Sequence, residues 1–320
     1  MRSEEPVRII GGPVGSFLVI LSALSYSSLG IFGKMGLAAL PLTSFLATRF
    51  AIAAAILWCV SLAWPRLRAA HARASHRRHL LLWGIVGLSG QSALYFAGLR
   101  ILSASLMEVL LYTCPAFLAL IEWGRTGRRP DARVMAALGL ALFGVWLASA
   151  PALHGTTSKG VVLGLLTGLW YAVFLVPMDR ITKGVEPIVA TTWIITGGAV
   201  TWIAAVLWEG FTPPSGRAAW GAIAGIVLAP TILGMALFVA GMRRTGPQVA
   251  SILSTFEPVG TLFLAAFFLG ERLQARQWFG ALLVVAAAVL LALEPGRRRA
   301  AAPPGPVAHV GAEVPPTVPH

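Results

Sequence analysis

The feature that most limits what this chain can become is its succession of long, nearly chargeless apolar runs joined by short basic connections. No soluble core can hide so many of them. Hydrophobic residues make up 57% of the chain and charged ones 12%, with a mean hydropathy of +0.78, where an average soluble domain carries about 25% charged residues. A helix of roughly 20 apolar residues crosses a bilayer with its backbone groups paired internally, so lipid can solvate what water cannot. Runs bounded by charges and Pro or Gly breaks predict spans at 14–33, 42–64, 80–98, 101–121 and 132–150, then 160–178, 187–208, 218–241, 247–268 and 276–293. The predicted fold class is all-α integral membrane with ten transmembrane helices.

A formal net charge of +13 raises the question of nucleic acid as a partner. Position answers it. The arginines crowd short connections, as at Arg66, Arg68, Arg73, Arg77 and Arg78, or Arg125, Arg128 and Arg129, without the single basic face and interleaved aromatics that a nucleic acid would need. Their alternation marks one side of the membrane: under a ten-span reading the even-numbered ends collect far more Lys and Arg than the odd-numbered ends, which hold Lys34, Arg100, Lys159, Arg217, Arg272 and Arg276. Both termini are therefore expected in the cytoplasm of a bacterial-type plasma membrane. Residues 1–13 read as a cytoplasmic segment, and the apolar stretch after them is too long for a signal peptide. The Pro-, Ala- and Arg-rich stretch 295–320 reads as a disordered cytoplasmic tail. Cys59 and Cys114 fall inside apolar runs and imply no disulfide.

An internal repeat organises the rest. Tyr95-Phe96-Ala97-Gly98-Leu99-Arg100 matches Phe238-Val239-Ala240-Gly241-Met242-Arg243, and the same register carries Leu110 onto Leu253 and Pro115 onto Pro258. Tyr26 matches Tyr171 and Pro41 matches Pro187 in a nearly identical register. The halves are 14–150 and 160–294. Each holds five predicted spans, an odd number, so the second enters the membrane from the opposite side. Two inverted repeats facing each other around a central cavity form the architecture of many secondary transporters.

Ser251 to Val259, including Glu257-Pro258, followed by Leu269-Gly270-Glu271-Arg272-Leu273 and Gln277 to Gly280, resembles the second-repeat signature of the EamA family in the drug/metabolite transporter superfamily. Leu110 to Pro115 and Arg49-Phe50 are similar to stretches of its first repeat. The resemblance covers roughly residues 14 to 294. It implies ten spans in two inverted repeats, a central cavity, and movement of small metabolites across the membrane. Glu108 departs from the pattern, standing where a small apolar residue is expected.

Charged residues inside a bilayer cost about 2.5–3.5 kcal/mol on insertion scales, so they face a cavity or a partner. Arg49, Glu108 and Glu257 are such residues. Arg49 is expected to anchor either a substrate carboxylate or Glu108, and a static ion pair between two helices is the competing reading. Ser105, Glu108, Tyr112 and Pro115 share one face at helical spacing, as do Ser254, Glu257 and Thr261, and both faces are expected to look into the cavity. Pro115 and Pro258 are expected to kink their spans. Tyr95, Trp170 and Tyr171 would supply an aromatic wall, with simple helix packing as the alternative for Trp170 and Tyr171. Gln91 is either a substrate donor or an interhelical bond. Trp64, Trp83, Trp123, Trp208, Trp220 and Trp278 read as interfacial anchors. Gly160, Gly164 and Gly168, with Gly221 and Gly225, suit close helix packing.

His71, His76 and His79 lack the Cys or carboxylate partners of a metal site and read as loop histidines, so no metal or cofactor is expected. No Walker sequence is present to bind ATP, and no span carries a His with an acid at catalytic spacing or a recognisable nucleophile. The expectation is a non-enzymatic secondary transporter with a small-molecule substrate, an exporter of amino acids or related compounds working by alternating access, either proton-coupled through the intramembrane acids or facilitative. Its partners would be that substrate and the lipid bilayer, with no nucleic acid. The alternatives are a membrane-embedded enzyme acting on lipids and a non-transporting scaffold.

Overall fold

In a computed structural model of the chain, the structure describes residues 12–74, 76–127, 132–149, 158–254, 256–268 and 274–292. The expected N-terminal segment, save its last two residues, and the C-terminal tail lie outside them. Every regular element among the described residues is helical. The first half runs α1 (Gly12–Tyr26), α2 (Leu29–Ala39), α3 (Leu42–Ala63), α4 (Pro65–Arg73), α5 (Arg77–Trp83), a first π segment (Gly84–Leu88), α6 (Ser89–Leu99), α7 (Ala104–Leu111), α8 (Cys114–Thr126) and α9 (Ala132–Ser149). The second runs α10 (Ser158–Thr182), α11 (Pro187–Glu209), α12 (Gly216–Ile226), a second π segment (Val227–Gly234), α13 (Met235–Thr245), α14 (Pro247–Leu253), α15 (Phe256–Phe268) and α16 (Ala275–Ala292).

Six stretches are long and apolar enough to cross a membrane: Val14–Ala39, Leu42–Ala63, Arg77–Leu99, Ser158–Met178, Pro187–Glu209 and Gly216–Thr245. They match six of the ten expected runs closely. The other four are helical and are not among these six. The 101–121 and 247–268 runs are each divided, between α7 and α8 at Tyr112–Thr113 and between α14 and α15 after Leu253. The 132–150 and 276–293 runs give α9 and α16, of 18 residues each, at the short end of what a bilayer requires. The outer face suits lipid: Leu207 is 82% exposed, Trp208 92% and Phe267 81%, which water would not tolerate over a broad surface.

Packing pairs the two halves symmetrically. Helix α3 lies on α11, and α9 lies on α16. Contacts between different positions come in exchanged pairs: α1 packs on α13 as α10 packs on α6, and α7 packs on α15 as α8 packs on α14. The repeat register predicts this exchange, because it maps α1 onto α10, α6 onto α13 and α7 onto α14. Gly164 and Gly168 bring α10 against α7 and its end, where a Cβ at Gly164 would meet Leu110 at 2.5 Å, and Gly160 sits against Ile101 and Leu102 just ahead of that helix. Gly225 likewise sits under Phe32, whereas Gly221 has nothing within 4 Å and is no packing position.

The two π segments fall at matching positions, since the register that carries Tyr95 onto Phe238 also carries Gly84 onto Val227. A π turn interrupts the i→i−4 ladder and leaves carbonyls to be satisfied by other donors. Pro230 has no N–H to offer the Ile226 carbonyl, and the Thr231 hydroxyl donates to it instead at 2.6 Å. In the first half Ser89 donates to the Gly84 carbonyl at 3.1 Å. Other carbonyls of these segments are met from the opposite half: Ser22 and Ser25 of α1 donate to Gly234 and Ala229 at 2.7 and 2.9 Å, and Trp170 of α10 donates to Gly87 at 2.9 Å.

Candidate functional site

A cavity opens between the halves where α1, α3, α6, α10, α11, α13 and the second π segment converge. Its free space, including the part open to the outside, is about 740 Å³. The walls come in repeat-related pairs: Tyr26 with Tyr171, Leu29 with Phe174, Leu88 with Thr231 and Tyr95 with Phe238. Most of the lining is apolar, and the polar side chains Arg49, Gln91 and Glu257 break it. That combination of an apolar body with a few placed polar groups is the usual make-up of a small-molecule site.

Arg49 is placed by α3 and is 4% exposed. Its guanidinium lies over the rings of Phe50 and Phe96, at 4.8 and 5.3 Å from their centroids, a cation–π arrangement. Its Nε donates to the Thr231 hydroxyl at 2.7 Å, and its Nη1 has no hydrogen-bond partner. The expected alternative of a pair with Glu108 is not formed. Glu108 is wholly buried and does not reach the cavity; its Oε1 accepts from the Tyr95 hydroxyl, and its Oε2 is unpartnered. Glu257 does line the cavity, with its Oε2 accepting from Tyr112 at 2.6 Å. The main chain at Glu257 is held too, because Ser27 donates to its carbonyl at 3.0 Å. Gln91 borders the cavity with an unpartnered Oε1.

Several expected positions are corrected. Helix α7 ends at Leu111, so Ser105, Glu108, Tyr112 and Pro115 do not form one continuous cavity face; from this stretch Leu111 lines the space, and the side chain of Ser105 lies outside the described residues. Pro115 starts a helix rather than kinking one. It occupies the first turn of α8, where the N–H it lacks would have had no partner. Pro258 lies in the first turn of α15, and its side chain lies outside the described residues. Ser254, Glu257 and Thr261 are divided by the same kind of break, with Ser254 bonded to Ala250 and Thr261 to Ser27. Trp170 does not line this cavity: its ring covers Gly90 and its indole N–H is spent on Gly87. Trp83 is not a free anchor, since it stacks on Phe174 with centroids 6.0 Å apart and donates to its carbonyl. His71 is no solvated loop residue either; it stacks on Trp58 at 4.8 Å, and neither ring nitrogen has a partner.

Tyr26, Ser92 and Thr231 line the cavity without having been singled out from the sequence. Tyr26 carried a signal, as the repeat mate of Tyr171. Thr231 carried a weaker one, as a hydroxyl beside an intramembrane proline. Among the described residues no cluster of His, Cys, Asp and Glu could hold a metal ion.

Residues 13–150 and 158–293 each match the EamA-like transporter family. The chain belongs to that family. Among curated relatives, an uncharacterized transporter of Bacillus subtilis (strain 168), YcbK, is 25% identical over 88% of this chain and 93% of its own length. An uncharacterized transporter of Archaeoglobus fulgidus is 26% identical over 62% of this chain and 70% of its own length. One solved protein crystal structure superposes with a TM-score of 0.66 at 20% identity, covering 86% of this chain and 95% of the other; at that identity it speaks for the fold alone. Family and relatives agree on an integral membrane protein of the transporter kind.

Proposed function

We propose that the protein is a secondary transporter that moves small metabolites, amino acids or related compounds, out of the cell by alternating access. The observation that carries this reading is the cavity itself: a mixed apolar and charged space walled by matching residues of two related halves. The exchanged helix contacts support an arrangement of two five-helix repeats, 14–150 and 160–294, with ten spans in all and the second repeat inverted. The basic connections support cytoplasmic termini in a plasma membrane. Substrate reaching the cavity from one side would be released to the other as the repeats rock about it.

The two glutamates are the groups able to carry a coupled proton. Glu257 borders the cavity and Glu108 lies one tyrosine behind it, so substrate and proton would compete for linked positions. Uptake of radiolabelled amino acids, sugars and amphiphilic amines into liposomes containing the protein tests the reading. Flux of at least one class above empty liposomes is expected. If no class moves in either direction, the transporter reading fails. In the same assay Glu108→Gln is expected to flatten the pH dependence of transport; an unchanged rate and pH profile would assign this acid to packing alone.

A further inference from the structure

Among the described residues, Arg49 is a buried cation without a counter-ion. Both nearby acids are engaged by tyrosines, Glu108 by Tyr95 and Glu257 by Tyr112, and neither bonds to Arg49. Its position is nonetheless fixed. The Thr231 hydroxyl has a single proton, which goes to the Ile226 carbonyl at 2.6 Å, so toward Arg49 it acts as an acceptor, and the guanidinium Nε donates to it at 2.7 Å. Phe50 and Phe96 support the guanidinium plane. What remains unpartnered is the Nη1 donor, itself buried, in a residue that borders the cavity.

We infer that the transported molecule supplies the missing anion: a carboxylate on a compact apolar body binds the free end of Arg49, and Thr231 is the positioning residue that aims it. This deepens the transporter reading and rests on it. A planar guanidinium suits a carboxylate through parallel N–H···O bonds. The apolar body fits the remainder of the wall, where Leu29, Phe174, Ile195 and Phe238 present no polar group. A donor on the ligand, an ammonium or a hydroxyl, finds the unpartnered Gln91 Oε1 and the Glu257 carboxylate across the same space. The amide oxygen and nitrogen of Gln91 are interchangeable by a flip, so this end discriminates less than the cationic end. Thr231 belongs to the second π segment, so the anion is also tied to an interrupted stretch of helix in the other half of the molecule.

Three ligands with one body separate the ends: phenylalanine, 3-phenylpropanoate and phenethylamine. Thermal unfolding of the full chain in detergent micelles is followed with each. The two carboxylates are expected to raise the midpoint in a concentration-dependent way, and the amine is not. Arg49→Gln is expected to abolish the shift. Thr231→Val, which keeps the branched shape and loses the hydroxyl, is expected to weaken carboxylate binding about tenfold by letting the guanidinium turn, and Thr231→Ser to restore most of it. A merely structural threonine would change the unliganded midpoint and leave the carboxylate affinity alone. Equal stabilisation by the amine, carboxylate binding that survives in Arg49→Gln, or no shift with any ligand would each overturn the inference. The wild-type comparison stands even where Arg49→Gln fails to fold. Acid-specific stabilisation without any flux in liposomes would sink the transporter reading and leave the anion site standing, whereas flux of the amine with no carboxylate binding would do the reverse.

Discussion

Two tyrosine–glutamate bonds set the polarity of the interior. Each hydroxyl donates into a carboxylate in a space that water does not reach freely, where an unmet acceptor costs about 1–3 kcal/mol. Tyr112→Phe should therefore lower the stability of the solubilised protein by about that amount, read as a shift of the unfolding midpoint, because it frees the Glu257 oxygen and fills no space in return. A midpoint equal to wild type would mean that another donor takes over. His71 carries a different dependence. It sits on α4, outside the six apolar stretches, against Trp58 and Trp193. Burial holds its pKa below the usual 6.5. The undocked helix then binds a proton more readily than the docked one, so docking is fully stable at neutral pH, weakens as pH falls below 6.5, and levels off once the docked histidine is itself protonated. Trypsin cuts after arginine, and Arg66, Arg68 and Arg73 flank this residue. Cleavage carried out at pH 5.5 and at pH 7.5, each rate normalised to that of an unstructured arginine peptide cut at the same pH, should show these sites more exposed at pH 5.5, and His71→Phe should remove the difference.

At the scale of elements, the interrupted helices matter more than the straight ones. Trp170→Phe keeps the ring over Gly90 and removes the N–H that meets the Gly87 carbonyl in the first π segment. A loss of about 1–3 kcal/mol in stability is expected, together with slower counterflow, since this bond ties the first helix of one half to the interrupted helix of the other. Ser25→Ala tests the mirror link to Ala229. Wild-type counterflow in both variants would show that the links are idle. The spans around these elements were legible in the sequence because charge and apolarity alternate over whole runs, as from Pro187 to Glu209. The π segments were not, because a π turn has the composition of an α turn; Pro230 followed by a hydroxyl was the one hint. The same limit governed the site. Arg49, Gln91, Tyr95, Tyr171 and Glu257 are polar or aromatic within apolar runs, and the structure brings them to one cavity. Trp170 was misplaced and Glu108 sealed off because the rotation of a helix about its axis is set by its neighbours, and no property of the residue itself reports it.

For the molecule as a whole, the alternating access proposed above makes one demand: the cavity must be reachable from each side in turn. The exchanged contacts, α1 on α13 and α10 on α6, give the two halves equivalent ways to close. Equivalent does not mean equal, since Tyr95 faces a phenylalanine in its mate and Arg49 has no basic counterpart in the second half. Ligand bound at one end should therefore shift the balance between the two facing states rather than leave it level. Ser92, 5% exposed on the cavity wall, is a place to read that balance. With Cys59 and Cys114 replaced by alanine, Ser92→Cys should react with a membrane-impermeant maleimide added to either side of sealed vesicles, and a bound substrate should raise the rate from one side while lowering it from the other. A thiol that reacts from a single side, whatever the ligand, describes a fixed pocket and removes alternating access from the account.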